Sequence, residues 1–201
     1  MDLSDYLGVA LRTMTVLRDP LQRTFSHYLH VCRDINHPWH LRVSEQSFEV
    51  FLQDVQNWPM IENFQARYLV KSGLDMRRLA HRLDRSPEKA SRLSTTSEDV
   101  RYLFDKGYVQ EQSHAALDGI DVVGTTDRIA LFLNHAAQTF SLEADGDGDI
   151  PRENVAPSRG AIESVSQESL DLIAELTMID QSLFQRARLR EAAAVPINTS
   201  P

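Results

Sequence analysis

One stretch decides the fold: Met14-Thr15-Val16-Leu17-Arg18-Asp19-Pro20-Leu21-Gln22-Arg23-Thr24-Phe25-Ser26-His27-Tyr28. Its residues 15–17 are apolar or β-branched, which is typical of a short buried strand. Asp19 then predicts a helix N-cap, and Pro20 suits the first position of a helix. We therefore predict a strand, a sharp turn and a helix in immediate succession.

The predicted helix has two unlike faces. The face expected to pack in the core carries apolar residues at helical spacing, namely Leu21, Phe25, Tyr28, Leu29 and Cys32. The other face carries Arg23, Ser26, His27 and His30. Unpaired N–H groups at a helix N-terminus and a nearby guanidinium suit phosphate, so the stretch predicts an anion site with Arg18 at the strand end. The alternative is an ordinary capped helix whose arginines are solvated.

The order strand-Leu-Arg-Asp-Pro-x-x-Arg-x-x-Ser-x-Tyr resembles the 3′-phosphate-binding segment of the sulfotransferases that use 3′-phosphoadenosine 5′-phosphosulfate. In that family the Arg after the strand and the later Ser hold the 3′-phosphate of the nucleotide. The resemblance assigns these roles to Arg18 and Ser26, while Arg23 would add charge or brace Asp19. The Arg-Asp-Pro form with a second Arg is most similar to the carbohydrate-type branch and its bacterial relatives.

A second segment, Asn63-x-Gln65-x-Arg67-Tyr68-Leu69, resembles the family segment that follows at similar spacing. The resemblance implies that it lies beside the nucleotide and acceptor cleft, without a fixed role for each residue. The residues alone support a plainer interpretation, in which Asn63 caps a helix while Phe64, Tyr68 and Leu69 pack.

A third matching segment joins a predicted strand over 120–124 to a predicted helix over 129–140 through Gly124-Thr125-Thr126-Asp127-Arg128. The family has a Val-Gly-Leu-Thr-Glu-Arg-Phe type of segment here. Without a Lys, the turn is interpreted as a capped strand-to-helix junction rather than a phosphate loop. The ending Ile179-Asp180-x-x-Leu-Phe-x-x-Ala is similar to the family's terminal helix.

Apolar spacing and capping residues predict the remaining helices. Ser47 caps a helix over 47–55 that buries Val55 with its aromatic neighbours, and Ser97 caps a helix over 97–104 that Gly107 breaks or kinks. Further helices are predicted over 109–117 and 166–176, and Asp180 caps a last helix through Leu183, Phe184 and Ala187.

The phosphosulfate loop that precedes the 3′-phosphate segment in the family has no counterpart, since no Gly-x-x-Lys or Gly-rich turn comes before Arg18. The resemblance therefore implies an α/β, mostly helical domain related to the P-loop nucleotide fold, with few parallel strands and without the first strand-loop-helix unit. We expect one incomplete domain over 1–192 and a flexible tail over 193–201. A fragment, a start assigned too far downstream and a degenerate protein all remain open.

Charge and composition limit the kinds of binding partner and the cellular location that we expect. The formal net charge of −8 argues against a broad nucleic-acid or anionic-membrane surface. A single cysteine, Cys32, allows no internal disulfide and is expected to be a structural thiol. No long apolar run and no signal peptide are evident, so a cytoplasmic location is predicted.

No metal site is predicted. His27, His30, His37 and His40 form two H-x-x-H pairs, but the second pair spans Pro38, and no Cys or clear acidic partner completes a zinc set. The acidic stretch 145–149 fails as a calcium loop because Ile150 and Ala156 stand where an EF-hand needs Gly and Glu.

The expected function is transfer of a sulfuryl group from 3′-phosphoadenosine 5′-phosphosulfate to a hydroxyl acceptor, which the resemblance makes a carbohydrate. Arg159, in a late loop, could also contact the nucleotide, and the basic run 71–97 could contact an anionic acceptor or be a solvated connector. No catalytic base is identified. The alternatives are a non-catalytic nucleotide-binding or interaction protein, and a helical binding module that resembles the family by accident.

Overall fold

The structure is a computed structural model, and it describes residues 10–70, 105–142 and 165–194. Within these ranges the chain is mostly helical and contains one small parallel sheet, which makes it an α/β protein as predicted. Strand β1 is Met14–Leu17 and strand β2 is Val122–Thr125. The strands pair in parallel, with Met14 opposite Val122 and Leu17 opposite Thr125. Their carboxyl ends therefore lie at the same edge of the sheet.

The helices before residue 71 follow their capping residues. Helix α1 is Pro20–Arg33, α2 is His40–Val43, α3 is Phe48–Gln53 and α4 is Phe64–Val70, with a 3-10 helix at Val55–Met60. Asp19 caps α1 as predicted, because its Oδ1 accepts a hydrogen bond from the Gln22 amide at 2.9 Å. Ser47 Oγ does the same for α3 and accepts from the Val50 amide at 3.3 Å.

The helices after residue 104 lie before and after β2 in the sequence. Helix α5 is Lys106–Asp118, a 3-10 turn spans Thr126–Arg128, α6 is Ile129–Phe140, α7 is Gln167–Leu176 and α8 is Met178–Ala194. The bounds of α6 match the sequence prediction, and Ser166 caps α7 through its hydroxyl, as its position indicates.

Three apolar clusters hold these elements together. One joins α1, α2, α3 and α7 through residues that include Phe25, Val43, Phe51 and Ile173. A second packs β1, β2, α4, α5 and α8 through Leu17, Ala66, Leu117, Val123 and Leu183, among others. A third seats α6 on the sheet through Val122, Phe132 and Ala136. The start of α1 thus lies between the helical cluster and the sheet cluster.

Several sequence predictions fail locally. Val55 is 61 % exposed, because α3 ends at Gln53 and Asp54 starts the 3-10 helix that carries Val55 away from the core. Leu133 shares helical spacing with Phe132 and Ala136, which predicts a packed position, yet it is 43 % exposed, since the buried side of α6 centres on those two residues. Gly107 lies inside the first turn of α5, whose N-cap is Asp105, so that helix starts before the predicted 109.

The last helix also begins differently. Asp180 is not its cap, because α8 starts at Met178 and the Asp180 side chain points into the protein. Leu183, Phe184 and Ala187 are buried as predicted. The helix continues to Ala194, past the expected start of the tail at 193. Strand β2 begins at Val122 rather than at residue 120.

Some predictions lie outside the described residues. They are the helix over 97–104, the basic run 71–97, the acidic stretch 145–149, Arg159 and the segment 195–201.

Candidate functional site

Arg18 occupies the carboxyl edge of the sheet, directly after β1 and before the cap of α1. In open α/β sheets this edge is where ligands bind. The Arg18 side chain is half-buried, and among the described residues its guanidinium has no hydrogen-bond or ion-pair partner. Burial lowers the pKa of Arg18 while the charge of Asp19 opposes the shift, and the guanidinium remains cationic at neutral pH. A half-buried cation that makes no ion pair with the described residues is well suited to an anionic ligand.

Gln65 fixes the backbone of Arg18. Its Oε1 accepts a hydrogen bond from the Arg18 amide at 2.9 Å, and its Nε2 donates to the Arg18 carbonyl at 2.8 Å. One side chain therefore satisfies both backbone groups of Arg18 and ties the first family-like segment to the second. The two residues are 47 positions apart, so no local spacing in the sequence indicated this contact.

Arg23 turns towards the protein. Its Nη1 donates to the Met60 carbonyl, and its guanidinium carbon lies 3.6 Å from the centre of the Phe64 ring. Burial lowers the pKa of Arg23 to about 10, against the opposing charges of Asp180 and Tyr68. Its hydrogen bond goes to Met60, while the capping bond of Asp19 comes from Gln22. Arg23 therefore braces the contact of α1 with the start of α4.

Ser26 lies on the same side of α1 as Arg23 and His27, six residues beyond Pro20, or about 9 Å along the helix axis. This side meets α4, because the His27 ring centre is 6.0 Å from that of Phe64. Ser26 is half-buried, and its hydroxyl has no partner within the described ranges. Arg18 and Ser26, the two residues that the resemblance pairs, thus both retain unused hydrogen-bonding groups.

The other polar residues of the second segment have partners inside the protein. Asn63, at φ 44°, accepts a hydrogen bond from the Ile179 amide through Oδ1 at 2.9 Å. Arg67 Nη2 lies 3.0 Å from Glu62 Oε2. The Asn63 side chain, predicted to cap α4, is thus used by α8. The predicted packing of Phe64 is confirmed by its ring centre, 4.6 Å from that of Tyr68, whereas Tyr68 itself is 43 % exposed.

Asp180 completes this junction from the other side. Its carboxylate accepts from the Gln65 amide at 3.1 Å and the Ala66 amide at 2.8 Å, so a residue of α8 caps α4. Burial raises the pKa of Asp180 to about 6, although those two hydrogen bonds and the charges of Arg23 and Arg67 lower it. The carboxylate thereby fixes the helix that carries Gln65.

The second strand-to-helix junction is closed by an internal carboxylate. Glu191, 3 % exposed, accepts from the Thr125 hydroxyl at 3.0 Å and the Thr125 amide at 3.3 Å. Arg128 Nε lies 4.0 Å from the same carboxylate. Thr125 precedes the 3-10 turn, but its side chain makes no capping hydrogen bond, so the predicted capped junction is held by Glu191 instead. Gly124 allows close packing, since a Cβ there would lie 2.5 Å from the Phe132 ring.

The histidines of α1 approach His37 without forming a metal site. The ring centre of His37 lies 5.9 Å from that of His27 and 5.8 Å from that of His30. Burial, with the charge of Arg23, lowers the pKa of His27 to about 3. Among residues 10–70, 105–142 and 165–194, no three His, Cys, Asp or Glu side chains are placed to hold a metal ion.

A cleft of about 470 Å³ opens beside the start of α1, on the side facing α7 and α8. Its lining includes Asp19, Leu21, Ile173, Gln181 and Phe184. Neither Arg18 nor Ser26 lines it. The cleft and the polar face of α1 therefore adjoin the same strand-to-helix junction from different sides.

No protein-family model, no curated protein and no solved structure matches this chain. In the part of the chain that the structure describes, no helix is both long and apolar enough to cross a bilayer.

Proposed function

We propose that the chain binds an adenosine nucleotide with a 3′-phosphate through Arg18 and Ser26, as part of a P-loop-type sulfotransferase domain that uses 3′-phosphoadenosine 5′-phosphosulfate. The observation that carries the proposal is the half-buried guanidinium of Arg18 at the carboxyl edge of a parallel sheet, where it has no hydrogen-bond or ion-pair partner among the described residues. The nucleotide is inferred from the order of residues 17–28, which resembles the family segment. The two hydrogen bonds between the Gln65 side chain and the Arg18 backbone support the proposal, because they hold Arg18 in place.

The proposed chemistry is an in-line transfer of the sulfuryl group to an acceptor hydroxyl, by resemblance that of a sugar. Such transfers depend on positioning and charge stabilisation, as phosphoryl transfers do. Arg18 would pair with the 3′-phosphate and Ser26 would donate a hydrogen bond to it. Arg159 is proposed as a further nucleotide contact by its sequence alone. These residues bind the nucleotide, and none of them is assigned to the reacting atoms.

The binding test combines a protein change with a ligand change. Calorimetric titration of adenosine 3′,5′-bisphosphate should give an affinity that falls at least about tenfold in Arg18→Ala, because a charged hydrogen bond contributes about 1.5–3 kcal/mol. Adenosine 5′-monophosphate lacks the 3′-phosphate, so Arg18→Ala should leave its binding unchanged. Arg33→Ala, at the exposed end of the same helix, is the matched control. Equal losses for both nucleotides would overturn the 3′-phosphate assignment.

A second candidate function is a non-catalytic nucleotide-binding or interaction protein. It is favoured by the structural roles of Asn63 and Arg67, whose polar groups already have partners inside the protein. Sulfuryl transfer from 3′-phosphoadenosine 5′-phosphosulfate to a panel of sugars separates the two candidates. Nucleotide binding without transfer would support the non-catalytic protein.

A further inference from the structure

The cleft beside the start of α1 has a lining of distinctive chemistry. Its volume of about 470 Å³ lies within the range of small-molecule sites. Apolar surface comes from Leu21, Ile173 and Phe184, and polar groups come from Asp19, Gln181 and Gln185. None of the described residues that line it is a lysine or an arginine. An anionic ligand would find no counter-ion there.

The polar groups of the lining retain hydrogen-bonding capacity. Asp19 uses Oδ1 to cap α1, and its other carboxylate oxygen has no partner among the described residues. Gln181 donates through Nε2 to the Ala174 carbonyl and the Thr177 hydroxyl, each at 3.3 Å, which leaves its carbonyl oxygen as an acceptor. The side-chain amide of Gln185 has no hydrogen-bond partner in the described part of the chain, so it can both donate and accept.

We propose that this cleft binds a neutral, hydroxyl-rich small molecule of monosaccharide size. Sugar hydroxyls both donate and accept hydrogen bonds, which matches one carboxylate and two amides. The C–H face of a sugar ring is apolar and matches Leu21 and Phe184. The further statement that this ligand is the sulfuryl acceptor rests on the proposed function, whereas its binding does not.

Asp19 links the cleft to the proposed nucleotide site. It lines the cleft and directly follows Arg18, so the two sites adjoin one turn of the backbone. The sites differ in charge, because the nucleotide site offers a cation and the cleft offers a carboxylate. We therefore expect the anionic nucleotide and the neutral sugar to bind on different sides of α1.

The test uses the full chain and calorimetric titration with methyl glucoside, methyl galactoside and N-acetylglucosamine. At least one should bind with a dissociation constant of roughly 1–10 mM. Glucuronate should bind about tenfold more weakly than the neutral sugar, since Asp19 repels its carboxylate. Failure of all three neutral sugars, or tighter binding of glucuronate, would overturn the proposal.

Variants locate the binding. Ala174 is an exposed residue of α7 that lines the cleft, so Ala174→Trp should fill the space and abolish sugar binding. Ala115→Trp, at an exposed position of α5 away from the cleft, is the matched control and should bind normally. Sugar binding that survives Ala174→Trp would place the ligand elsewhere and refute the assignment.

Arg18→Ala distinguishes this proposal from the proposed function. It should weaken adenosine 3′,5′-bisphosphate and leave the neutral sugar unaffected. Sugar binding without nucleotide binding would reject the proposed function and keep the cleft, whereas nucleotide binding without sugar binding would do the opposite.

Discussion

The two strand-to-helix junctions of the sheet have similar local patterns and opposite electrostatics. After β1, the chain places Arg18 at the sheet edge and leaves its guanidinium without a partner in the described residues. After β2, the amide and hydroxyl of Thr125 are bound by the buried carboxylate of Glu191. The junction after β1 therefore remains available to an anionic ligand, while the junction after β2 is already occupied by the carboxylate of Glu191.

The difference does not come from the junctions themselves. Glu191 lies 66 residues after Thr125, on the last helix, and it decides that the second junction is structural. Likewise Gln65, 47 residues after Arg18, binds the Arg18 backbone, and the Arg18 side chain stays without a partner among the described residues. Whether a strand-to-helix turn can bind a ligand is thus set by residues remote in the sequence.

The largest expected effect concerns the closed junction. Glu191→Ala should lower the free energy of unfolding by about 3 kcal/mol, because it leaves the Thr125 amide and hydroxyl buried without an acceptor. Urea denaturation measures the change. Glu175→Ala, an exposed glutamate of α7, should change stability by no more than about 0.5 kcal/mol. Similar values for the two variants would contradict the role of Glu191.

The next effect tests packing at the same junction. Gly124→Ala should destabilise by about 1–3 kcal/mol, since the new Cβ would meet the Phe132 side chain at 2.5 Å. Gly119→Ala is the matched control, because its Cβ would meet only backbone oxygens at 3.6 and 3.7 Å. Thermal melts that rank the two variants equally would show that Phe132 can yield.

A smaller effect is expected at the open junction. Gln65→Glu keeps the acceptor for the Arg18 amide but cannot donate to the Arg18 carbonyl, so Arg18 should be held less firmly. If the proposed nucleotide site is right, affinity for adenosine 3′,5′-bisphosphate should fall about three- to tenfold. Calorimetry measures this, with Gln110→Ala on α5 as the control. Unchanged affinity would mean that the hydrogen bonds between Gln65 and Arg18 contribute to folding alone.

The smallest expected effect is on the stability of Arg18→Ala. Removing a side chain that has no hydrogen-bond or ion-pair partner in the described part of the chain should change the free energy of unfolding by no more than about 0.5 kcal/mol. Arg23→Ala should cost more, since the Arg23 guanidinium donates to the Met60 carbonyl and covers Phe64. The comparison of junctions would fail if chemical denaturation showed Arg18 to be as important for stability as Arg23.

The sequence predicted what depends on neighbours along the chain. Strand β1, the Asp19 cap and helix α6 follow from residue type and from spacings of three or four positions. The sequence could not reveal the hydrogen bonds between Gln65 and the Arg18 backbone, or those between Thr125 and the Glu191 carboxylate. Each set joins distant segments and has no periodic signature. Val55 was misplaced for a local reason, because α3 ends at Gln53 and the 3-10 helix that follows turns Val55 away from the core.

The contact between α4 and α8 also has a consequence for how the chain opens. Asp180 caps α4, and Asn63, which precedes α4, accepts from the Ile179 amide at the start of α8. Each helix thus supplies the other's terminal acceptor across separations of 114 and 116 residues. Neither set of hydrogen bonds can form until the chain between α4 and α8 brings the two helices together, so the two helices form one cooperative unit. In hydrogen exchange, the amides of Ala66 and Ile179 should become exposed in the same opening event and report the same free energy of opening.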